Sequence, residues 1–286
     1  MAFHPDGSAL VTEKAGHLKW WRAGKANAEV AGVPAVKPGG QAGLLDVGLS
    51  PGFARDRLIY LTYSEPSAVG GSGLAMARGA RGGRRAVDRG ARAVARRKGR
   101  HRRAMSCGDC LYPDDHSLFL SSGERQRFTP AQDANQPRGK ILHLTLNGQP
   151  AAGNPWANKV GAATTTITSP PENTGAARSA VGRAFTWPGA NRTAFETWST
   201  GHRNPYGLAF DAAGRLRESE NGPMGGDEIN LIKPGRNFGW PYASNSSNYD
   251  SIDISDHKPG DGYGSPRLWW NPSISPGGLM IYRGGK

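Results

Sequence analysis

Between Gly201 and Pro241 the chain reads GHRNPYGLAF, a short polar turn, and then ESENGPMGGDEINLIKPGRNFGWP. Guanidinium, amide and carboxylate groups are interleaved there with turn-forming glycines, between two apolar strand-like segments. Loops held by rigid strands are where binding groups are normally displayed. Arg203 and Asn204 offer a planar fork of donors beside an amide, a pair suited to a flat, oxygen-rich, anionic ligand. Gly222 and Pro223 carry no coordinating side chain, but their backbone carbonyls suit a hard cation. Asp227 and Glu228 add carboxylates that bind or balance such a cation. Without that chemistry, the same run reads as two well-made turns carrying surface charge.

The elements that must position these groups are short strands. With 41 glycines and 21 prolines in 286 residues, turns dominate over long helices. AFHPDGSALVTEKAGHLKWWRAG reads as strand, PDG turn, strand, GH turn, strand. GLLDVGLSPGFARDRLIYLTYSE repeats the plan, with LIYLTYS as an alternating strand. DDHSLFLSSGE, GKILHLTLNGQP and GLAFDAAGRLRESENGP follow it again. A recurrence at roughly 40 to 50 residues points to an all-β propeller with four-stranded blades, and a two-sheet sandwich is the alternative. Residues 155–187, rich in Thr, Pro and Ala, read as a long surface insertion in a single domain. Residues 78–113 fit no blade.

The formal net charge of +13 suggests nucleic acid until it is located. Residues 78–103 hold eleven arginines and Lys98 against Asp88, which is nearly all of the excess. The basicity therefore belongs to one segment. Arginine, glycine and alanine dominate it, the residues that G/C-rich codons yield in any frame, so the segment reads as out-of-frame or disordered. Cys107 and Cys110 form a lone CxxC, whereas a zinc site wants two more ligands. No run of about 18 apolar residues is available to span a membrane. The N-terminus lacks a basic stretch followed by an apolar run, so no signal peptide is expected.

Taken together, QAGLLDVGLSPGFARDRLIYLTYSE, GHRNPYGLAF, ENGPMGGDEINLI, NFGWP and NPSISPGGLMIY resemble the soluble quinoprotein sugar dehydrogenases of the glucose/sorbosone dehydrogenase family, near its aldose dehydrogenase branch. The resemblance implies a six-bladed propeller that holds pyrroloquinoline quinone (PQQ) and calcium. It implies oxidation of the C1 hydroxyl of an aldose to a lactone, with electrons passed to an external acceptor. It also implies a periplasmic or secreted location. By the same resemblance, Gln41, Arg203 and Asn204 contact the quinone, and Arg203 is catalytic through charge stabilisation. Gly222 and Pro223 give carbonyls to the cofactor-bound calcium. Glu228 ligates a second calcium, with the backbone near Phe238 as partner, and Glu124 orients the family's general-base histidine.

The chain departs from the family pattern in three places. The base lies in a Gly-Gly-His motif expected near positions 100–108, where residues 101–110 read HRRAMSCGDC. His101 sits in an arginine run and His116 in the following turn, so no residue fills that role. Cationic contacts expected after NPSISPGGLMIY do not precede Lys286, and the first strand of the first blade is missing. The expectation is a propeller incomplete at both ends and impaired in catalysis. Two other readings accompany it, a non-catalytic sugar- or cofactor-binding propeller and a nucleic-acid-binding protein acting through the basic segment.

Overall fold

The computed structural model describes residues 1–67, 72–82, 86–88, 109–112, 117–166, 184–282 and 284. The chain divides into two units, residues 1–118 with 145–149, and residues 119–144 with 150–286. Among the described residues the regular structure is mostly β, with two single-turn helices, α1 (Phe53–Asp56) and α2 (Thr193–Glu196).

In the first unit β1 (Ala2–Phe3), β2 (Ala9–Glu13), β3 (His17–Trp21) and β4 (Ala28–Glu29) form an antiparallel meander. A second meander follows in β5 (Leu44–Leu49), β6 (Leu58–Pro66), β7 (Ser72–Gly82) and β8 (Ala86–Asp88), and β9 covers Asp109–Tyr112. Asp6 makes the PDG turn, its carboxylate accepting from the Ser8 N–H at 2.9 Å and the Ser8 hydroxyl at 2.6 Å. Leu10, Leu18, Leu44, Val47, Ile59 and Leu61 pack into one core. Strand β6 was expected to alternate, but Ile59 through Ser64 are buried without a break. An inner strand covered on both faces keeps no polar side.

Strand β7 runs through the sequence boundary at Ala77–Arg78. Arg78 is tied down by its guanidinium, which donates to the Leu146 carbonyl at 3.0 Å and to the Asn147 side chain. Most of the anomalous segment 78–113 lies outside the described residues. Within the expected insertion 155–187, strands Thr164–Thr166 and Ala184–Thr186 pair, and residues 167–183 lie outside the description.

The second unit contains β10 (Ser117–Ser122), β11 (Lys140–Thr145), the hairpin β12 (Thr164–Thr166) and β13 (Ala184–Thr186), and β14 (Thr197–Thr200). Its complete meander is β15 (Pro205–Phe210), β16 (Leu216–Glu220), β17 (Asp227–Leu231) and β18 (Leu268–Trp270). The register of β15 against β16 shifts between Pro205 and Gly207, a bulge at the foot of the GHRNP run. Gly207 is obligatory there, because a Cβ would collide with the backbone of Leu279.

Two carboxylates hold the ends of this meander. Asp211 turns β15 into β16, its Oδ1 accepting the N–H groups of Ala213 and Arg215 at 3.0 Å each. Its Oδ2 takes the Arg215 and Arg217 side chains at 2.8 and 3.1 Å. Burial opposes ionisation there, but the Arg215 N–H and the two guanidinium groups hold the carboxyl down to about 2. Asp227, fully buried, accepts the Gly222 N–H on Oδ1 at 2.8 Å. Its Oδ2 takes the Ser273 hydroxyl and the N–H groups of Ile274 and Ser275, each at 2.6 Å.

A carboxyl whose folded pKa is depressed contributes stability above its unfolded value and loses it as pH falls through the folded one. Asp211→Asn therefore lowers the melting temperature at pH 7, and the gap from the parent narrows as pH falls from about 4 through about 2; circular dichroism melts across that range check it, and a gap as wide at pH 2 as at pH 7 contradicts it. Asp227→Asn replaces one accepting oxygen with an NH2 that faces N–H or O–H donors and cannot accept from them. It is expected to reduce stability by roughly 2–4 kcal/mol, read from the urea midpoint with the slope unchanged.

Candidate active site

Strand β16 ends in Glu218, Ser219 and Glu220, and side chains two apart share a face. The register with β17 sets Glu218 opposite Asn230 and Glu220 opposite Glu228. All four are buried. The Asn230 amide nitrogen lies 3.1 Å from Glu218 Oε2, 3.2 Å from Glu220 Oε1 and 3.2 Å from Glu228 Oε2. It has two hydrogens for three acceptors. Burial, reinforced by the charge of Glu220, pushes the Glu218 and Glu228 carboxyls well above the usual carboxylate range. His202 adds an imidazole, its Nδ1 3.3 Å from Glu220 Oε1 and its Nε2 2.8 Å from the Ser199 hydroxyl. His202, Glu218 and Glu220 bring ligand atoms within 4.8 Å of one another, a spacing that a cation can bridge.

Arg203 and Asn204 follow, buried to 5% and 1% exposure despite their polarity. The Arg203 N–H donates to Glu220 Oε2 at 2.6 Å and the Asn204 N–H to the same oxygen at 3.2 Å. The Arg203 guanidinium reaches across the Gly222 loop. Its Nη1 donates to the Asn221 carbonyl and, at 2.8 Å, to the Gly222 carbonyl. Its Nη2 donates to the Tyr249 hydroxyl at 2.9 Å. The rings of Trp240 and Tyr249 lie 5.4 and 5.6 Å from the guanidinium carbon, within cation–π range. Arg203 Nε and the Asn221 side-chain oxygen are buried and have no partner among the described residues.

Gly222 is needed for closeness, since a Cβ would run into the Gly225 carbonyl and the Gly226 backbone. Pro223 is buried beside it. One cavity is lined by Arg203, Asn221, Gly222, Glu228, Phe238 and Trp240, so residues from three separate motifs meet at one wall. The GHRNP and NFGWP runs are stitched together by their backbones. Phe238 N–H donates to Thr200 at 2.9 Å and Trp240 N–H to Gly201 at 3.0 Å.

Glu124 belongs to the same unit, and its N–H donates to the Arg203 carbonyl at 2.9 Å. Its Oε2 accepts the N–H groups of Arg127 and, at 2.6 Å, Phe128, in a loop where Arg125, Gln126 and Phe128 all have positive φ. Burial pushes its carboxyl up, against the opposing pull of the Arg203 charge and those N–H groups. Its other oxygen, Oε1, is buried without a partner among the described residues.

The structure thus brings Arg203, Asn204, Gly222, Pro223, Glu228 and Glu124 into one unit. Gln41 belongs to the other, exposed in a turn closed by paired Gly39 and Ala42 backbone bonds of 3.2 and 2.9 Å. His101, His116 and the whole stretch 101–108 where a histidine base was sought lie outside the described residues. Sequence reasoning did not single out Glu220, Asn230, Trp240 or Tyr249. The only available hint was a pair of glutamates two apart, Glu218 and Glu220, beside the Gly-Pro loop.

The profile of the family described as Glucose / Sorbosone dehydrogenase matches residues 1–174 and 182–286. The aldose sugar dehydrogenase YliI of Escherichia coli (strain K12) is 34% identical over 293 residues, covering 100% of this chain and 70% of that protein. The crystal structure of the soluble aldose sugar dehydrogenase from Escherichia coli in its apo form superposes with a TM-score of 0.76 at 31% identity. That superposition covers 96% of this chain and 72% of the other. The PQQ-bound aldose sugar dehydrogenase of Streptomyces coelicolor superposes at 0.68 with 27% identity, covering 96% and 68%. Both neighbours are propeller folds. No helix among the described residues is long and apolar enough to cross a membrane. A match over almost the entire length makes this chain a member of the glucose/sorbosone dehydrogenase family of quinoprotein oxidoreductases.

Proposed function

We propose that this chain is a PQQ- and calcium-dependent dehydrogenase that oxidises the C1 hydroxyl of an aldose to a lactone and passes the electrons to an external acceptor. We read its four-stranded sheets as blades of a six-bladed propeller, and place it, by its relatives, in the periplasm or outside the cell. The observation that carries the reading is the Arg203 guanidinium, buried between Trp240 and Tyr249 with a free Nε donor. A flat anionic ring with adjacent oxygens suits that cradle in charge and in hydrogen-bonding chemistry. The unpartnered Asn221 oxygen beside the Gly222 carbonyl suits a cation. The guanidinium already stands as a cation against that carbonyl at 2.8 Å. A carbonyl has two lone pairs, so it can face calcium and Arg203 together.

PQQ, when bound, would supply the acceptor for the C1 hydride, and calcium a Lewis acid beside it. The residues of this chain hold and bias that chemistry. Arg203 keeps a fixed positive charge where negative charge develops on oxygen, so no solvent need reorganise during the reaction. Asn204 would donate a hydrogen bond to the cofactor, and for Gln41 the cofactor contact rests on the family resemblance alone. Gly222 and Pro223 would offer carbonyls to the calcium, and Glu228 with the backbone near Phe238 would hold the second one. Glu124, anchored to the Arg203 backbone, orients the group that takes the C1 hydroxyl proton.

Reconstitution with PQQ and calcium, followed by dye reduction with glucose and other aldoses, tests the reading. Binding with turnover supports it; binding without turnover assigns a non-catalytic propeller instead; and no binding refutes it. In the reconstituted protein Arg203→Ala should lower kcat by roughly 10²–10³ with sugar KM changed less than about threefold. The opposite pattern, an intact kcat with weakened sugar binding, would remove Arg203 from the charge-stabilising role.

A further inference from the structure

We infer that Glu220 is the positioning residue of this site, the group that fixes Arg203 and Asn204 in the geometry that a quinone cofactor needs; the inference rests on the PQQ reading above. The backbone just before β15 cannot be held by a ladder. Pro205 has no N–H, and the register shifts between Pro205 and Gly207, so the N–H groups of Arg203 and Asn204 fall outside the β15–β16 pairing. Buried and unpaired, each would carry a full desolvation penalty. Glu220 takes both on a single oxygen, at 2.6 and 3.2 Å.

Its second oxygen completes the hold. Oε1 lies 3.3 Å from His202 Nδ1 and 3.2 Å from Asn230 Nδ2. One carboxylate therefore touches three consecutive residues, His202, Arg203 and Asn204, and anchors itself to β17 through Asn230. The residue after it continues the tie, the Asn221 N–H donating to the Asn204 carbonyl at 3.2 Å. The next carbonyls, of Asn221 and Gly222, receive the Arg203 guanidinium. The end of β16 thus sets both ends of Arg203, backbone and side chain.

Packing alone does not call for a glutamate at this place. Glu220 stands directly across from Glu228 and is only 4% exposed, and like charges opposite one another in a sheet destabilise it. With both oxygens engaged, Glu220 is no acid or base toward a substrate. Its effect passes through Arg203 and Asn204.

The test is a titration of the full chain with PQQ in excess calcium, followed by absorbance and fluorescence, on parent, Glu220→Gln, Glu220→Asp and Asp211→Asn. Gln keeps one acceptor but turns an amide toward the N–H groups; Asp keeps the charge but falls a methylene short. Both should weaken PQQ affinity about tenfold, the scale of one charge-assisted hydrogen bond. Asp211→Asn loosens the far end of the same hairpin, so it should lower the melting temperature while leaving the PQQ dissociation constant within about twofold. Folded Glu220 variants that bind PQQ as the parent does would overturn the inference and leave the PQQ reading standing. So would equal weakening in Asp211→Asn, which would reduce the effect to general loosening. A parent that does not bind PQQ sinks the reading itself, and the inference with it. If Glu220→Gln does not fold, Glu220→Asp decides.

Discussion

Irregular backbone buried in a protein must find acceptors for its N–H groups, and here carboxylates supply them. Glu220 holds Arg203 and Asn204, Glu124 holds Arg127 and Phe128, and Asp227 holds Gly222, Ile274 and Ser275. Asp211 does the same at an exposed hairpin. Each replaces a strand partner that a turn or bulge has removed. The loops that display the polar wall around Arg203 owe much of their shape to these few groups, together with backbone bonds to strand ends such as Phe238 N–H to Thr200 and Gly226 N–H to Trp270.

Such a scheme concentrates negative charge. Glu218, Glu220 and Glu228 share a single amide, and burial raises the carboxyls of Glu218 and Glu228. A purely structural core gains nothing from that crowding, since buried like charges oppose each other at low dielectric. The crowded carboxylates and the Arg203 wall meet at the Gly222 and Glu228 loop, where Glu220 takes the N–H groups of Arg203 and Asn204.

Much of this was legible in the sequence, for a local reason. Arg203 with Asn204, and Gly222 with Pro223, each lie within a few bonds of one another, so covalent connectivity alone puts them on the same loops. The PDG turn at Asp6 and the turn at Asp211 were legible likewise, since an aspartate bonds its own backbone two residues on. Glu220 was not, because an acid in a charged strand looks like any solvated side chain until the register is known. Neither was Tyr249, which reaches Arg203 across 46 positions of chain. Strand β6 misled in the same way, because alternation in the sequence does not say whether a second layer covers its other face.

The sequence by itself determined which groups are present and how the chain turns: short strands, Gly-Pro and Asn-Pro breaks, and a guanidinium beside an amide. These follow from φ/ψ preferences and side-chain chemistry over a few residues. The tertiary structure alone decided the pairings. Strand register set Glu220 against Glu228, the bulge before Gly207 freed two N–H groups for one carboxylate, and loop closure brought Gly222, Trp240 and Tyr249 around Arg203. A shift of one residue in that register would turn Glu218 and Glu220 to the opposite face of the sheet and leave Arg203 without its hold.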